Sequence, residues 1–386
     1  MQNFHMYAAT ASGIEALAGR ELRDLGYETK VENGRVRFDG TIADAIRTNL
    51  WLRTADRIKI IVAEFDARTF DELFEKTKAY PWDQLLPMDA RFPVEGRSQK
   101  SQLHSVPNVQ AIVKKAIVNK LSDVYHRRTR LPETGQLYPL EVAINKDHVL
   151  LTLDTTGASL FKRGYRLDKG TAPLKENMAA ALIDITTWHP KTMPFLDPTC
   201  GSGTLPIEAA LIGRNIAPGF NRDFVCESWD WVDAQISKDL RAEADSLADY
   251  DAELEIYGSD IDGSMIDISR VNAQEAGVLH DIQFKQVAVA DLKLELDDGV
   301  IISNPPYGER MSDRESVHKL YRQMGHVFRP MRTSSAYFLT ADLEFEEYYG
   351  EKATKKRKLY NGALRTDYFQ YWAKERSQKF TKGKDS

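Results

Sequence analysis

Pro194-Phe195-Leu196-Asp197-Pro198-Thr199-Cys200-Gly201-Ser202-Gly203-Thr204-Leu205 joins an apolar strand end to an acid, a loop of small residues and a helix that starts near Thr204. Gly201 and Gly203 let the backbone come close to a ligand at the carboxyl end of a strand, the edge where open α/β sheets bind cofactors. The Lys-Ser/Thr ending of an ATP-type phosphate loop is missing. The G-x-G pattern alone does not choose between a dinucleotide and S-adenosylmethionine, and a tight turn without a ligand is the bland alternative.

Outward from this loop, strand-like runs at 195–197, 255–260, 282–287, 300–303 and 336–340 alternate with helical segments. That alternation predicts an α/β domain, a mostly parallel sheet with helices on both faces, and 359–360 with 368–372 add a closing antiparallel hairpin. The second run ends in Tyr257-Gly258-Ser259-Asp260-Ile261-Asp262. A carboxylate at Asp260 can accept both hydroxyls of a ribose. Asp262 reads instead as the cap of a helix running through Asn272. After the third run, Asp291 stands where an adenine amino group could donate, although a surface acid alone says little.

The fourth run ends in Ser303-Asn304-Pro305-Pro306-Tyr307. Consecutive prolines cannot continue a ladder, so the chain leaves the sheet at the edge where the glycine loop opens. The side-chain carbonyl of Asn304 and the backbone carbonyl of Pro305 are acceptors for an exocyclic amine, and Tyr307 offers a ring on which a base can stack. Pro306 stiffens the presentation. Direct methyl transfer to such an amine needs positioning and desolvation rather than a strong base. A proline-stiffened loop is the alternative for the tetrapeptide in isolation; its place about a hundred residues beyond the glycine loop argues for chemistry. Because duplexes hide base amines, the target is single-stranded, looped or flipped out.

A chain of 386 residues holds two or three domains, each large enough for its own core. No apolar run approaches the ~20 residues of a membrane span, and residues 1–7 lack a secretory pattern, which places the chain in the cytoplasm. Two cysteines, Cys200 and Cys226, exclude a disulfide framework and a four-cysteine zinc site, and no other metal-ligand spacing is found. Upstream of the glycine loop, strand and helix patterns at 6–10, 14–25, 31–38, 42–54 and 58–65 form one α+β module. A second module has a helix at 70–79, a strand at 91–95, a helix at 106–120 and a hairpin of 140–144 with 149–153. The net charge is −5, but residues 91–130 hold nine Lys/Arg against two acids, while 230–256 hold nine acids against Lys238 and Arg241. Local sign matters more than the sum, so the first stretch attracts phosphate.

L-D-P-T-C-G-S-G-T-L at 196–205 and S-N-P-P-Y-G-E-R at 303–310, preceded by F-K-R-G-Y-R at 161–166 and A-P-L-K-E-N-M-A-A-A at 172–181, closely resemble the class I methyltransferase domain of the ribosomal RNA large subunit methyltransferase L type. These are THUMP-domain guanine-N2 methyltransferases of 23S rRNA, often labelled N6-adenine-specific DNA methylases. The resemblance covers nearly the whole chain and implies a ferredoxin-like segment at 1–65, a THUMP RNA-binding domain at 66–157, a Rossmann-like S-adenosylmethionine-dependent domain at 158–374 and a basic tail at 375–386. By resemblance, Asp197, Thr199, Cys200, Gly201, Gly203 and Thr204 line the cofactor site, Asp260 meets the ribose, Asp291 faces the adenine, and Asn304 to Tyr307 hold the target. Thr171, Pro173, Lys175 and Glu176 close over the methionine end; for Lys175 and Glu176 a solvated helix start is the alternative. No covalent step through Cys200 is implied.

The THUMP-like part contains Arg97, Lys100, Lys114, Lys115, Arg127, Arg128 and Arg130, the leading RNA contacts, against the alternative of a solvated charged face. Some members of the family have a second, C-terminal methyltransferase domain; the sequence ends without one, so only the guanine-N2 activity carries over. A tRNA guanine methyltransferase, a DNA adenine methylase and a non-catalytic RNA-binding factor remain alternatives. Intact Asp197, Gly201, Gly203, Asp260 and Asn304 speak against the last.

Overall fold

The computed structural model describes residues 2–166, 174–293, 296–307, 311–362 and 364–375. Two compact units emerge, each assembled from separate stretches of chain: Met1–Thr10, Ala18–Leu160 and Arg222–Glu243 in one, Ala11–Leu17, Phe161–Asn221 and Ala244–Ser386 in the other.

In chain order the first unit is built around β1 (Phe4–Thr10), α1 (Glu15–Asp24), β2 (Lys30–Glu32), β3 (Arg35–Gly40), α2 (Ile42–Trp51), β4 (Ala55–Asp66), α3 (Phe70–Lys78), β5 (Val94–Gln99), α4 (Val106–Val124), β6 (Leu140–Asn145) and β7 (His148–Asp154). Local chemistry sets several boundaries. The Asp44 carboxylate accepts from both the backbone N–H and the hydroxyl of Thr41, closing the start of α2. Along α4, Val109, Val113, Ala116, Ile117 and Leu121 recur at helical spacing and are buried, so one face packs inward. Lys146 and Asp147, at φ +53 and +64, make the two-residue turn between β6 and β7.

The sequence places two modules in this region, and their strands form one seven-stranded sheet, ordered β2-β3-β1-β4-β7-β6-β5. The long β4 is the joint: Ile60 stands opposite Met6 on one side and Leu153 on the other. The expected strand at 91–95 begins instead at Val94. Pro93 has no N–H to give to the ladder, leaving Arg91 in an isolated bridge to Leu137.

The second unit contains α5 (Glu176–Asp184), β8 (Phe195–Asp197), α6 (Thr204–Gly213), part of α7 (Ala234–Leu247), β9 (Ile256–Asp260), α8 (Gly263–Glu275), β10 (Ile282–Gln286), β11 (Val300–Ser303), α9 (Met311–Phe328), β12 (Ser335–Thr340), α10 (Phe345–Tyr349), β13 (Lys355–Asn361) and β14 (Leu364–Tyr371). Its sheet is ordered β10-β9-β8-β11-β12-β14-β13. The first five strands are parallel, and β14 runs antiparallel to both β12 and β13. Alternation along β11 shows how the layers form. Val300 and Ile302 join a core with Met178, Leu205, Ile207 and Ile266, while Ile301 joins another with Leu196, Val317, Tyr321, Met324 and Phe345. From β8 the chain winds outward through β9 to β10, then returns to the other side of β8 at β11. The order therefore reverses between β8 and β11, which places a switch point where ligands of open α/β sheets bind.

Candidate active site

Parallel pairing puts the carboxyl ends of β8, β9 and β11 on one rim: Asp197 lies opposite Gly258, and Leu196 opposite both Tyr257 and Ile301. The glycine loop begins there. Asp197 is buried, and its carboxylate accepts from the backbone N–H of Thr199 at 3.1 Å. Burial, with the negative charge of Asp260 adding to it and the Thr199 N–H opposing, holds the Asp197 carboxyl well above the usual carboxylate range. Gly203 caps α6 at φ +83, and a Cβ there would stand 2.9 Å from Cβ of Ser269. Gly201, at φ +51, faces open space: a Cβ on it would meet nothing within 4 Å. Its N–H donates to Asp260 at 2.9 Å, while the other Asp260 oxygen accepts from Asp262 N–H. Asp262 caps α8 through the N–H of Ser264, the role its position suggested.

The lead-in segment has a structural account that its sequence did not reveal. Arg166 donates to the hydroxyl of Thr204 at 2.6 Å and to the carbonyl of Leu174, and its Nε lies 3.1 Å from Glu176. One guanidinium thus ties α5 to the first residue of α6. Glu176 is 4% exposed, so it is not a solvated helix start; burial raises its carboxyl, and Arg166 counters the rise. Lys175 is half-buried, its ammonium 4.8 Å from the centre of the Phe161 ring. Thr171 and Pro173 lie outside the described residues. Burial and then the charges of Asp197 and Asp260 push the Cys200 thiol up, the reverse of what a thiolate nucleophile needs.

Across the switch point, Thr199 and Ser303 bring their hydroxyls to 2.5 Å, linking the glycine loop to the end of β11. The next residues are Asn304, half-buried, Pro305, buried, Pro306, exposed, and Tyr307, half-buried. The Tyr307 hydroxyl donates to the side-chain carbonyl of Asn304. Tyr321 from α9 donates to the carbonyl of Pro306 at 3.1 Å and contacts the hydroxyl of Thr340 at the same distance. Both Tyr321 and Thr340 are fully buried. A buried hydroxyl pair thus fixes the exit of the proline loop, a function no local pattern in α9 announces. Asp291 closes a short turn of 3₁₀ helix, Val289–Asp291, and is exposed.

The basic residues of the first unit divide in the structure. Lys114 is engaged internally: its ammonium donates to the carbonyl of Phe92 and to Glu133 at 2.8 Å, and sits 3.6 Å from the Phe92 ring centre. Arg97 pairs with Glu141 at 3.2 Å, and Arg127 is half-buried. Lys100, Lys115, Arg128 and Arg130 are exposed. No helix among the described residues is long and apolar enough to cross a membrane.

A sheet of this order, with a glycine loop after its first strand, an acid after its second and Asn-Pro-Pro-Tyr after its fourth, defines a class I methyltransferase domain. Residues 163–370 match the family model for the RMKL-like methyltransferase domain, residues 5–59 that for the RlmL ferredoxin-like domain and residues 67–154 that for the THUMP domain. The chain belongs to this family of THUMP-bearing, RMKL-like methyltransferases. It is 53% identical over 380 residues to "Putative RNA methyltransferase YpsC" of Bacillus subtilis, covering 98% of each chain. It is 32% identical over 370 residues to a Shewanella protein named "Ribosomal RNA large subunit methyltransferase K/L", covering 94% of this chain but 52% of that one. The chain thus spans about half the length of that relative. Among solved structures, a "predicted N6-adenine-specific DNA methylase" from Listeria monocytogenes is 59% identical at a TM-score of 0.93, covering 97% of both chains. "SMU.472, a putative methyltransferase complexed with SAH" is 51% identical at 0.93, covering 98% of this chain and all of that one.

Proposed function

We propose that the protein transfers a methyl group from S-adenosylmethionine to the exocyclic N2 amine of a guanine in 23S rRNA. The observation that carries this reading is the meeting of the glycine loop and Asn304 on one rim at the switch point, with Thr199 and Ser303 in contact. The cofactor is supported by the donor set and by the solved relative described with S-adenosylhomocysteine. The negative charge of Asp260 adds to the cost of charging buried Asp197, which suits a ligand that brings positive charge. The open space before Gly201 suits close approach of that ligand to the backbone. The rRNA target is supported by the name of the K/L relative and by the THUMP domain.

When bound, S-adenosylmethionine supplies an electrophilic methyl on a sulfonium sulfur. Asn304 and Pro305 hold the amine by accepting its hydrogens, which turns the nitrogen lone pair toward the donor. In the free protein the Asn304 carbonyl already accepts from Tyr307, and its second lone pair remains for the substrate. The new C–N bond forms as the C–S bond breaks, and the proton released from nitrogen passes to water. Residues 66–157 would grip the RNA backbone through Lys100, Lys115, Arg128 and Arg130, with Arg97 and Arg127 beside them, and deliver the base to residues 158–374. Asp260 would take the ribose, Asp291 the adenine, and Lys175 and Glu176 the methionine end.

Incubation with labelled methyl donor and separate rRNA, tRNA and DNA, followed by mass spectrometry of nucleosides, tests the reading. N2-methylguanosine in large-subunit rRNA is expected; methyladenine in DNA overturns it. Asn304→Ala is expected to bind S-adenosylhomocysteine like the parent and to lose turnover on the order of 10²-fold or more, since one misplaced holding group costs that much. Full turnover in that variant removes Asn304 from the mechanism.

A further inference from the structure

Next to Tyr307 the second unit opens into a cleft of about 480 Å³, bordered by Arg314 and His318 of α9, by Asp342 and Leu343 from the loop after β12, and by Leu364. That volume lies in the range of small-molecule pockets, so one nucleotide fits. Its lip is apolar: Leu343 is 71% exposed and Leu364 44%. Large apolar side chains left in water around a cleft suit the flat face of a base, and Tyr307 offers a ring in the same cleft.

The floor is polar and firmly built. His318 Nε2 lies 3.1 Å from Oδ2 of Asp342, and these two side chains are 13% and 15% exposed. The His318 ring stacks on Tyr348 at 3.7 Å and 14°. Oδ1 of Asp342 accepts from the N–H of Glu344, and the Asp342 N–H donates to Thr340. Thr340 is the residue that meets Tyr321, which in turn holds the carbonyl of Pro306. The backbone of Asp342 is therefore connected to the proline loop through Thr340 and Tyr321, all within one unit. Each oxygen of a carboxylate can accept more than one hydrogen bond, so Asp342 keeps acceptor capacity beyond these two partners, His318 and the Glu344 N–H.

We propose that Asp342 is the specificity-determining acceptor of this cleft, receiving the ring N1–H of the target guanine while Asn304 holds the neighbouring N2 amine. This rests on the reading of Asn304 as the amine holder. Among bases with an exocyclic amine, guanine carries a hydrogen on the adjacent ring nitrogen. Adenine N1 and cytosine N3 are acceptors, and against a carboxylate they leave two lone-pair centres facing each other without a proton, a mismatch that a buried polar site rejects strongly. Arg314, exposed at the cleft edge, is placed for the phosphate of the same nucleotide.

The test compares full-length parent, Asp342→Asn and Glu344→Gln on 23S rRNA transcribed in vitro, following rate, product nucleoside and S-adenosylhomocysteine affinity. In Asp342→Asn the amide oxygen stays on the Glu344 N–H and an NH2 takes the place of Oδ2. This variant is therefore expected to lose on the order of 10²-fold in kcat/KM for guanine with cofactor affinity within about twofold, whereas Glu344→Gln stays within about fivefold. A second arm changes the RNA instead of the protein. At the mapped position, 2-aminopurine keeps the amine and has no N1–H; the parent is expected to discriminate against it on the order of 10²-fold, and Asp342→Asn to narrow that gap by donating to N1. Guanine methylation by Asp342→Asn within twofold of the parent, or equal parental rates on guanine and 2-aminopurine, overturns the role of Asp342 and leaves the guanine-N2 reading standing. Methyladenosine made by the parent overturns both.

Discussion

Asp197 shows how a proposed site residue can work against the stability of the protein that holds it. Its carboxyl is buried beside a second acid and is held above its ordinary range. An acid whose folded pKa exceeds its unfolded one, about 3.9, binds more protons when folded, so stability falls as pH rises from that value through the folded pKa. Asp197→Asn keeps the acceptor for Thr199 and removes the charge. It is therefore expected to stabilise the ligand-free protein by about 1–3 kcal/mol at pH 7, with the gain shrinking toward zero near pH 4, while weakening S-adenosylhomocysteine binding. Urea unfolding of both proteins across that range checks it; a difference that does not change with pH removes burial as the source. At this scale the sequence was informative where backbone demands are sharp. Gly203 sits in the left-handed region and Asp262 caps its helix, both properties of short local segments. The same reasoning had no means of finding Arg166 or Tyr321, whose partners lie 38 and 15 residues away along the chain.

Elements in the second unit are locked by a few buried ionic contacts. Arg214, at the C-terminal end of α6, meets Asp281 through two bonds of 2.6 Å, and its remaining Nη1 hydrogens go to the carbonyls of Asp249 and Tyr250. The Arg214 and Asp281 side chains are 5% and 4% exposed, so the carboxylate of Asp281 depends on this partner. Removing one member of such a pair leaves a buried charge unmatched, whereas replacing both with apolar groups often costs little. Arg214→Met is expected to destabilise by about 3–5 kcal/mol, and Arg214→Met with Asp281→Leu to recover most of that loss, measured by the shift of urea midpoint. Equal losses in the single and double variants contradict the account. Element positions were largely legible because apolar periodicity is a local signal: the strands at 195–197 and 300–303 and the hairpin turn at Lys146 and Asp147 lie where the pattern put them. The strand near Pro93 was displaced because the pattern of side chains does not show which N–H groups the ladder needs.

For the whole molecule, a net charge of −5 coexists with a proposed polyanion partner because residues 91–130 carry nine Lys/Arg against only two acids. Each lysine or arginine that neutralises a phosphate contributes about 0.7–0.9 to the slope of log affinity against log salt. Reversal of Lys115, Arg128 and Arg130 together is expected to weaken RNA binding and flatten that slope by about 2–3, with binding followed from low to moderate salt. An unchanged slope removes these residues from the interface. Lys114 is unsuited to the experiment, since its reversal would break contacts with Phe92 and Glu133.

The sequence alone determined the alternation of strands and helices, the two motif loops and the class of chemistry they suggest, because hydrophobic periodicity, glycine and proline each act over a few residues. Only the tertiary structure decided that β4 and β7 pair to make one sheet, that Glu176 is buried, and that Asp342, Thr340 and Tyr321 converge behind the proline loop. Those outcomes depend on which distant segments share a sheet register or a core, and burial assigns partners to charged and hydroxyl groups only after the chain has closed.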